Sequence, residues 1–166
     1  MKYIKNKIIH FFIFGSLYMN IEVLMRAVHG SMVGFDGIKY YSLMGYTSIY
    51  MGILSGILSL IIAYLLDNDK YFELKVWQKL LIGGSIITFA ELCFGLIFNV
   101  YLFQMNIWHY TGINFMHQIS LETSLEWPFI ITPMIISLDS YLTYWIYGED
   151  KPVSFIKIYI DLILGR

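Results

Sequence analysis

The residues best equipped for chemistry in this chain stand where water is scarce. Glu22 and Arg26 are four apart inside an apolar run, acid first, the spacing that lets them pair on one helix face. Glu91 lies near the middle of another run, on a stripe in which Gly84, Thr88, Glu91, Gly95 and Asn99 follow one another by four, three, four and four residues. A carboxyl group in hydrocarbon is either protonated through desolvation or paired, and Arg26 is the intramembrane cation it could pair with. The set Glu22, Arg26, Glu91 and Asn99 is therefore a candidate polar core. It reads as a proton or ligand site on the bundle axis, or equally as a hydrogen-bonded seam whose glycines admit a neighbouring helix. Thr132, Asp139 and Thr143 share a further face, with Asp139 placed where a hydrated cleft would accommodate it.

A second cluster falls in a polar connection and comprises Trp108, His109, Tyr110, Asn114, His117 and Glu122. Two histidines and a glutamate within fourteen residues raise metal ligation, but no spacing matches a ligand signature, so neither metal nor cofactor is expected. As acid or base, Glu91, His109, His117 or Glu122 would suit a lipid or isoprenoid substrate, with the connection serving as a lid.

Helices that cross a membrane must position these groups. Of the 166 residues, 58% are hydrophobic and 14% charged, an apolar excess that no soluble core of this size could hide. Runs at about 8–28, 43–66, 80–103 and 127–147 each approach the roughly 20 residues that span hydrocarbon. The expected fold is an all-α polytopic transmembrane bundle, one integral membrane domain over 1–166, with an outer loop at 104–126 and a C-terminal interfacial amphipathic helix at 153–164. With the N-terminus inside, nine of the eleven Lys and Arg residues face the cytoplasm, leaving Arg26 and Lys39 outside. The positive-inside rule thus predicts both termini in the cytoplasm, and a bacterial plasma membrane is the expected location.

Local signals refine this picture. Lys2, Lys5 and Lys7 ahead of an apolar run suit a secretory signal, but Asn20, Glu22, Arg26 and the lack of a small-residue cleavage site predict a retained first helix. Gly52 and Gly56, flanked by Ser48 and Ser59 on the same face, predict close helix packing within the bundle or across a dimer. Thr123 and Glu126 fit a capping box opening the fourth helix. Pro133 should free the carbonyl of Phe129, which something nearby must satisfy. Tyr40, Tyr41, Trp77, Trp108, Trp127 and Trp145 gather at the predicted boundaries as an interfacial belt. In the tail, Ser154, Lys157 and Asp161 form a polar stripe on a helix too short to cross, expected along the inner membrane surface or packed against the bundle. The lone Cys93 excludes an internal disulfide, and a net charge of −1 without a basic arm excludes nucleic acid as a partner.

The segments E-L-C-F-G at Glu91 to Gly95, W-H-Y at Trp108 to Tyr110 and N-x-x-x-Q-I-S-L at Asn114 to Leu121, followed by Trp127, resemble the bacterial family labelled type IV ABC transporter permease. Glu22 stands at that family's early acidic position, and the likeness covers most of Gly15 to Trp127. The family's usual Trp-Asp-Tyr appears here as Trp108-His109-Tyr110. The resemblance implies a helical membrane protein with a functional polar core and, through the label, a permease-like transport subunit. Its partners would be the lipid bilayer and either further copies of itself or a separate membrane or ATPase subunit. No G-x-x-x-x-G-K-[ST] is present, so the chain is not the ATPase. The alternatives are a membrane-embedded enzyme acting on a lipid or isoprenoid, or a non-catalytic assembly module.

Overall fold

In hydrocarbon an apolar run finds no hydrogen-bond partner but itself, so it closes its backbone as a helix. The computed structural model describes residues 2–28, 45–148 and 151–165. Among them, four helical stretches are long and apolar enough to cross a bilayer: Lys7–Ala27, Ile49–Leu66, Val76–Tyr101 and Leu121–Ile146. The chain is thus all-α in the expected sense, a multi-pass integral membrane protein. Among the described residues its β structure is one short antiparallel pair, β1 (Asn114–Phe115) with β2 (Ile119–Ser120). The helices are α1 (Lys2–Val28), α2 (Ile49–Leu66), the single turn α3 (Asp69–Phe72) and α4 (Val76–Phe94), which runs on as a π-helical stretch, Gly95–Tyr101. After the hairpin come α5 (Leu121–Glu126), a second π-helical stretch (Trp127–Ile131), α6 (Thr132–Tyr147) and α7 (Phe155–Ile163). Lys39, Tyr40 and Tyr41 lie outside the described residues.

The chain forms two compact units, Met1–Leu60 and Ile61–Arg166, with the boundary inside α2. In the first unit the small-residue stripe of α2 lies against α1. A Cβ on Gly15 would sit 2.6 Å from the carbonyl oxygen of Gly52, and one on Gly56 would sit 2.7 Å from the ring of Phe11. Gly52 and Gly56 thus lie where bare backbone lets two helices of the chain approach, the packing within the bundle that their spacing predicted.

In the second unit the same device joins α4 to the last span: Gly83 packs on Thr132 and Gly84 on Pro128. The third span starts earlier than its hydropathy suggested, at Val76, where the Gln78 side chain accepts a hydrogen bond from the Lys75 amide at 3.0 Å. The fourth span also starts earlier. Its cap is Ser120, in extended conformation, whose hydroxyl accepts from the Thr123 amide at 3.1 Å, so the expected box on Thr123 and Glu126 is displaced by one turn. Six residues assigned by sequence to the outer loop are consequently helix α5. The span ends at Gly148, whose φ of 67° closes a left-handed cap with its amide on the Tyr144 carbonyl at 2.8 Å.

Pro133 has the foreseen effect. The backbone before it widens into the π-helical stretch, and the Phe129 carbonyl accepts a hydrogen bond from the Tyr159 hydroxyl. That donor arrives because the tail turns back: the Val153 amide donates to Ser140 Oγ at 2.7 Å, and α7 then runs antiparallel to α6 with Ile158 buried. The tail packs against the bundle, as one of its two expectations had it. Burial raises the Tyr159 phenol above its ordinary pKa, which keeps it a donor at neutral pH. Tyr159→Phe should therefore lower the stability of the folded protein by about 0.5–1.5 kcal/mol, the net worth of one hydrogen bond. Reversible unfolding in mixed micelles measures it, and an unchanged midpoint would show that the carbonyl finds another donor.

Candidate functional site

The stripe on α4 acts as a row of anchor points for the loop that follows it. Glu91, 3% exposed, accepts from the Tyr110 hydroxyl on Oε1 at 2.6 Å and from the Trp127 indole on Oε2 at 2.9 Å, so each carboxylate oxygen holds a neutral donor. One turn on, Gly95 leaves room for Gln118, whose Oε1 would lie 2.6 Å from any Cβ there. Asn99, a further turn along, uses both ends of its amide. Its Oδ1 accepts from the Ile107 amide at 2.9 Å, and its Nδ2 donates to Gln118 Oε1 at 2.9 Å and to the Trp108 carbonyl at 3.3 Å. The Trp108 indole completes the ring by donating to the Gln118 carbonyl at 2.9 Å.

The loop is thus a structured cap. Its hairpin turns through Met116 and His117, both at positive φ (51° and 58°), and the Asn114 side chain accepts from the His117 amide at 2.9 Å. Tyr110 and His117 are cross-linked twice, by the Tyr110 amide on the His117 carbonyl and by His117 Nδ1–H on the Tyr110 carbonyl at 2.8 Å. This second bond fixes the proton of a neutral His117 on Nδ1. His109 stacks on His117 with centroids 4.1 Å apart, exposed on the outside of the cap, and Glu122 is exposed in the first turn of α5. Among the described residues no group of three His, Cys, Asp or Glu is placed to hold a metal ion.

Glu22 and Arg26, in the first unit, form the foreseen ion pair, with Arg26 Nη2 at 2.6 Å from Glu22 Oε1. Thr47 donates its hydroxyl to Glu22 Oε2, and the guanidinium lies 4.5 Å from the centroid of the Tyr46 ring. Of the candidate polar core, Glu22 and Arg26 belong to the first unit and Glu91 and Asn99 to the second.

A cavity occupies the other end of the second unit. It measures about 720 Å³ and is lined by the end of α2, the start of α4, the second half of α6 and the returning tail. Among the described residues its ionisable lining is Asp67, Lys79, Asp139, Lys151, Lys157 and Asp161, with hydroxyls from Ser140 and Thr143. Asp139 reaches the cleft that its position suggested. Tyr71 braces the entrance of α4 by donating to the Lys79 carbonyl at 2.9 Å, and burial pushes its phenol up to about 12, so it stays a donor. Lys157 and Asp161 pair along α7 at 3.5 Å.

Sequence reasoning missed Gln118 and Trp127 as members of the Glu91 network, and Lys79, Lys157 and Asp161 as members of the cleft. The signals were present: Gln118 and Trp127 stand among the segments that carry the family resemblance, and Lys157 and Asp161 form the polar stripe of the tail. The motif residues Glu91, Gly95, Trp108, Tyr110, Gln118 and Trp127 meet in one hydrogen-bonded and packed cluster. Comparison with protein-family models, with curated proteins and with solved structures gives no match to this chain.

Proposed function

We propose that the protein is a permease-like transport subunit in which the charged cleft is the solute site and the latched loop is a closed far end. The observation that carries this reading is the asymmetry of the second unit. At one end Glu91 and Asn99 of the α4 stripe are engaged in holding the loop down; at the other, charged side chains surround open space. Lys79 and Glu91 are twelve residues apart on one helix, about 18 Å along its axis, so cleft and latch are separated by roughly half a bilayer. A site at one face and a seal at the other is the minimum geometry for alternating access. The cleft lies on the side of the Asp67 to Lys79 connection and of the tail, which the positive-inside rule assigns to the cytoplasm. The resemblance to the permease family supports the same reading and would supply a partner ATPase or a second copy as the source of drive.

The test is solute counterflow in proteoliposomes. Vesicles carrying the protein should accumulate a labelled small solute against an internal pool of the same solute, and Asp139→Asn should reduce the rate at least about tenfold if it removes one charge-assisted contact. Equal counterflow in protein-free vesicles for every solute class tried, anionic, cationic and zwitterionic, with and without a proton gradient, would sink the proposal.

A further inference from the structure

Among the described residues the cleft offers equal numbers of both signs, three lysines (Lys79, Lys151, Lys157) against three aspartates (Asp67, Asp139, Asp161). A solute of one sign entering such a lining meets as much repulsion as attraction, and it leaves whichever groups it displaces without partners in a partly dehydrated space. A solute bearing both signs exchanges partners instead, its cation taking a carboxylate while its anion takes the released ammonium.

The arrangement permits that exchange. Gly83 faces Thr132 and Gly84 faces Pro128, so α4 and α6 are antiparallel and Lys79 stands near the level of Ile136, about one turn from Asp139. Lys157 and Asp161 approach from the third side, because the Val153 amide is bound to Ser140 and brings the tail across. Their mutual ion pair is long, 3.5 Å, and Lys157 is 60% exposed, so water screens it and little is lost when it opens. A cavity of about 720 Å³ lies within the usual range for small-ligand sites, about 300–1,000 Å³, and its apolar lining from Leu66, Val76, Ile136 and Ile158 would carry the uncharged part of the molecule.

From this juxtaposition we infer that the cleft is a binding site for a zwitterionic group, an ammonium joined through a short chain to a phosphate or carboxylate. The inference rests on the cleft being the solute site of the transport reading. Two sources share the chemistry, a free small zwitterion and the headgroup of a zwitterionic phospholipid.

The full-length protein in nanodiscs, titrated calorimetrically with phosphoethanolamine, β-alanine, ethylamine and ethyl phosphate, tests it. Phosphoethanolamine or β-alanine should bind at least about tenfold more tightly than ethylamine or ethyl phosphate, each of which carries one sign only. Asp139→Asn and Lys79→Met should each weaken zwitterion binding at least about tenfold, the loss of one charge-assisted contact. The heat-unfolding midpoint of each variant shows whether it is folded, and Lys157→Met, on the exposed tail, repeats the measurement where the fold is least at risk. Retention of phosphatidylethanolamine over phosphatidylglycerol in native mass spectra, with displacement by phosphoethanolamine, identifies the lipid source; tight β-alanine binding without lipid retention identifies the free solute. Single-sign probes binding as tightly as the zwitterions, or no zwitterion bound and no lipid preference, overturns the inference. Zwitterion binding without counterflow upholds it while removing the transport reading, and counterflow of a single-sign solute without zwitterion binding does the reverse.

Discussion

Glu91→Ala will be the most damaging single substitution in the second unit, lowering stability by at least about 2 kcal/mol, since each of two stranded buried donors costs about 1–3 kcal/mol. The Tyr110 hydroxyl and the Trp127 indole N–H both lose their acceptor at a depth where water does not replace it. The effect spreads, because Tyr110 is tied to His117 and the hairpin carries Gln118 onto Gly95 and Asn99. Glu91→Gln should fall between the wild type and Glu91→Ala: the amide oxygen retains one donor while the amide nitrogen confronts the other. Tyr110→Phe, removing a donor together with its need, should cost less than either. Unfolding of the three variants in mixed micelles, with protease sensitivity of the loop as a second readout, checks the ranking. Equal midpoints for Glu91→Ala and wild type would mean that the carboxylate is a spectator.

The first unit has its own weak point. Gly15→Val should destabilise the α1 and α2 pair by about 1–3 kcal/mol, the usual cost of forcing extra atoms into a packed contact. The added Cβ would lie 2.6 Å from a backbone carbonyl oxygen, that of Gly52, which cannot turn aside as a side chain can. Gly52→Ala is the informative control. Its new methyl meets the thioether of Met19, a flexible group able to move, so it should be tolerated better. A cysteine pair across this contact, scored for cross-linking within the chain in each background, reports whether the helices have parted. If Gly52→Ala proves the worse of the two, the backbone contact is not what limits their approach.

How far these features could be read in advance follows from their chemistry. The anchor row Glu91, Gly95 and Asn99 was visible because a stripe at helical spacing is a local pattern. Gln118 was not visible as its partner, since the hairpin that carries it turns through Met116 and His117 in left-handed conformation, without the Asn-Gly or Gly signal that marks such turns. The orphan carbonyl at Phe129 was deducible from Pro133 alone. The identity of its donor required knowing that Ser140 would capture Val153 and return the tail to α6. The start of the fourth helix was misjudged because Thr123 and Glu126 make a plausible box, and Ser120 outranks them only once the strand before it places its hydroxyl over the first turn. Asp139 announced a hydrated cleft; the cleft's other charges come from the end of α2, from α4 and from the tail that carries α7, segments that only the fold brings together.

The bond from Tyr159 to the Phe129 carbonyl also sets an order of events during biogenesis. The ribosome delivers Phe129 and Pro133 to the bilayer well before Tyr159, so the fourth span inserts with a carbonyl that nothing yet satisfies. Until α7 has been made and has folded back, that span remains an unfinished part, open to any other hydroxyl or amide within the membrane that reaches it first. The docking of α7 is what ends this competition, and the fourth span becomes committed to its own interior only when Tyr159 arrives.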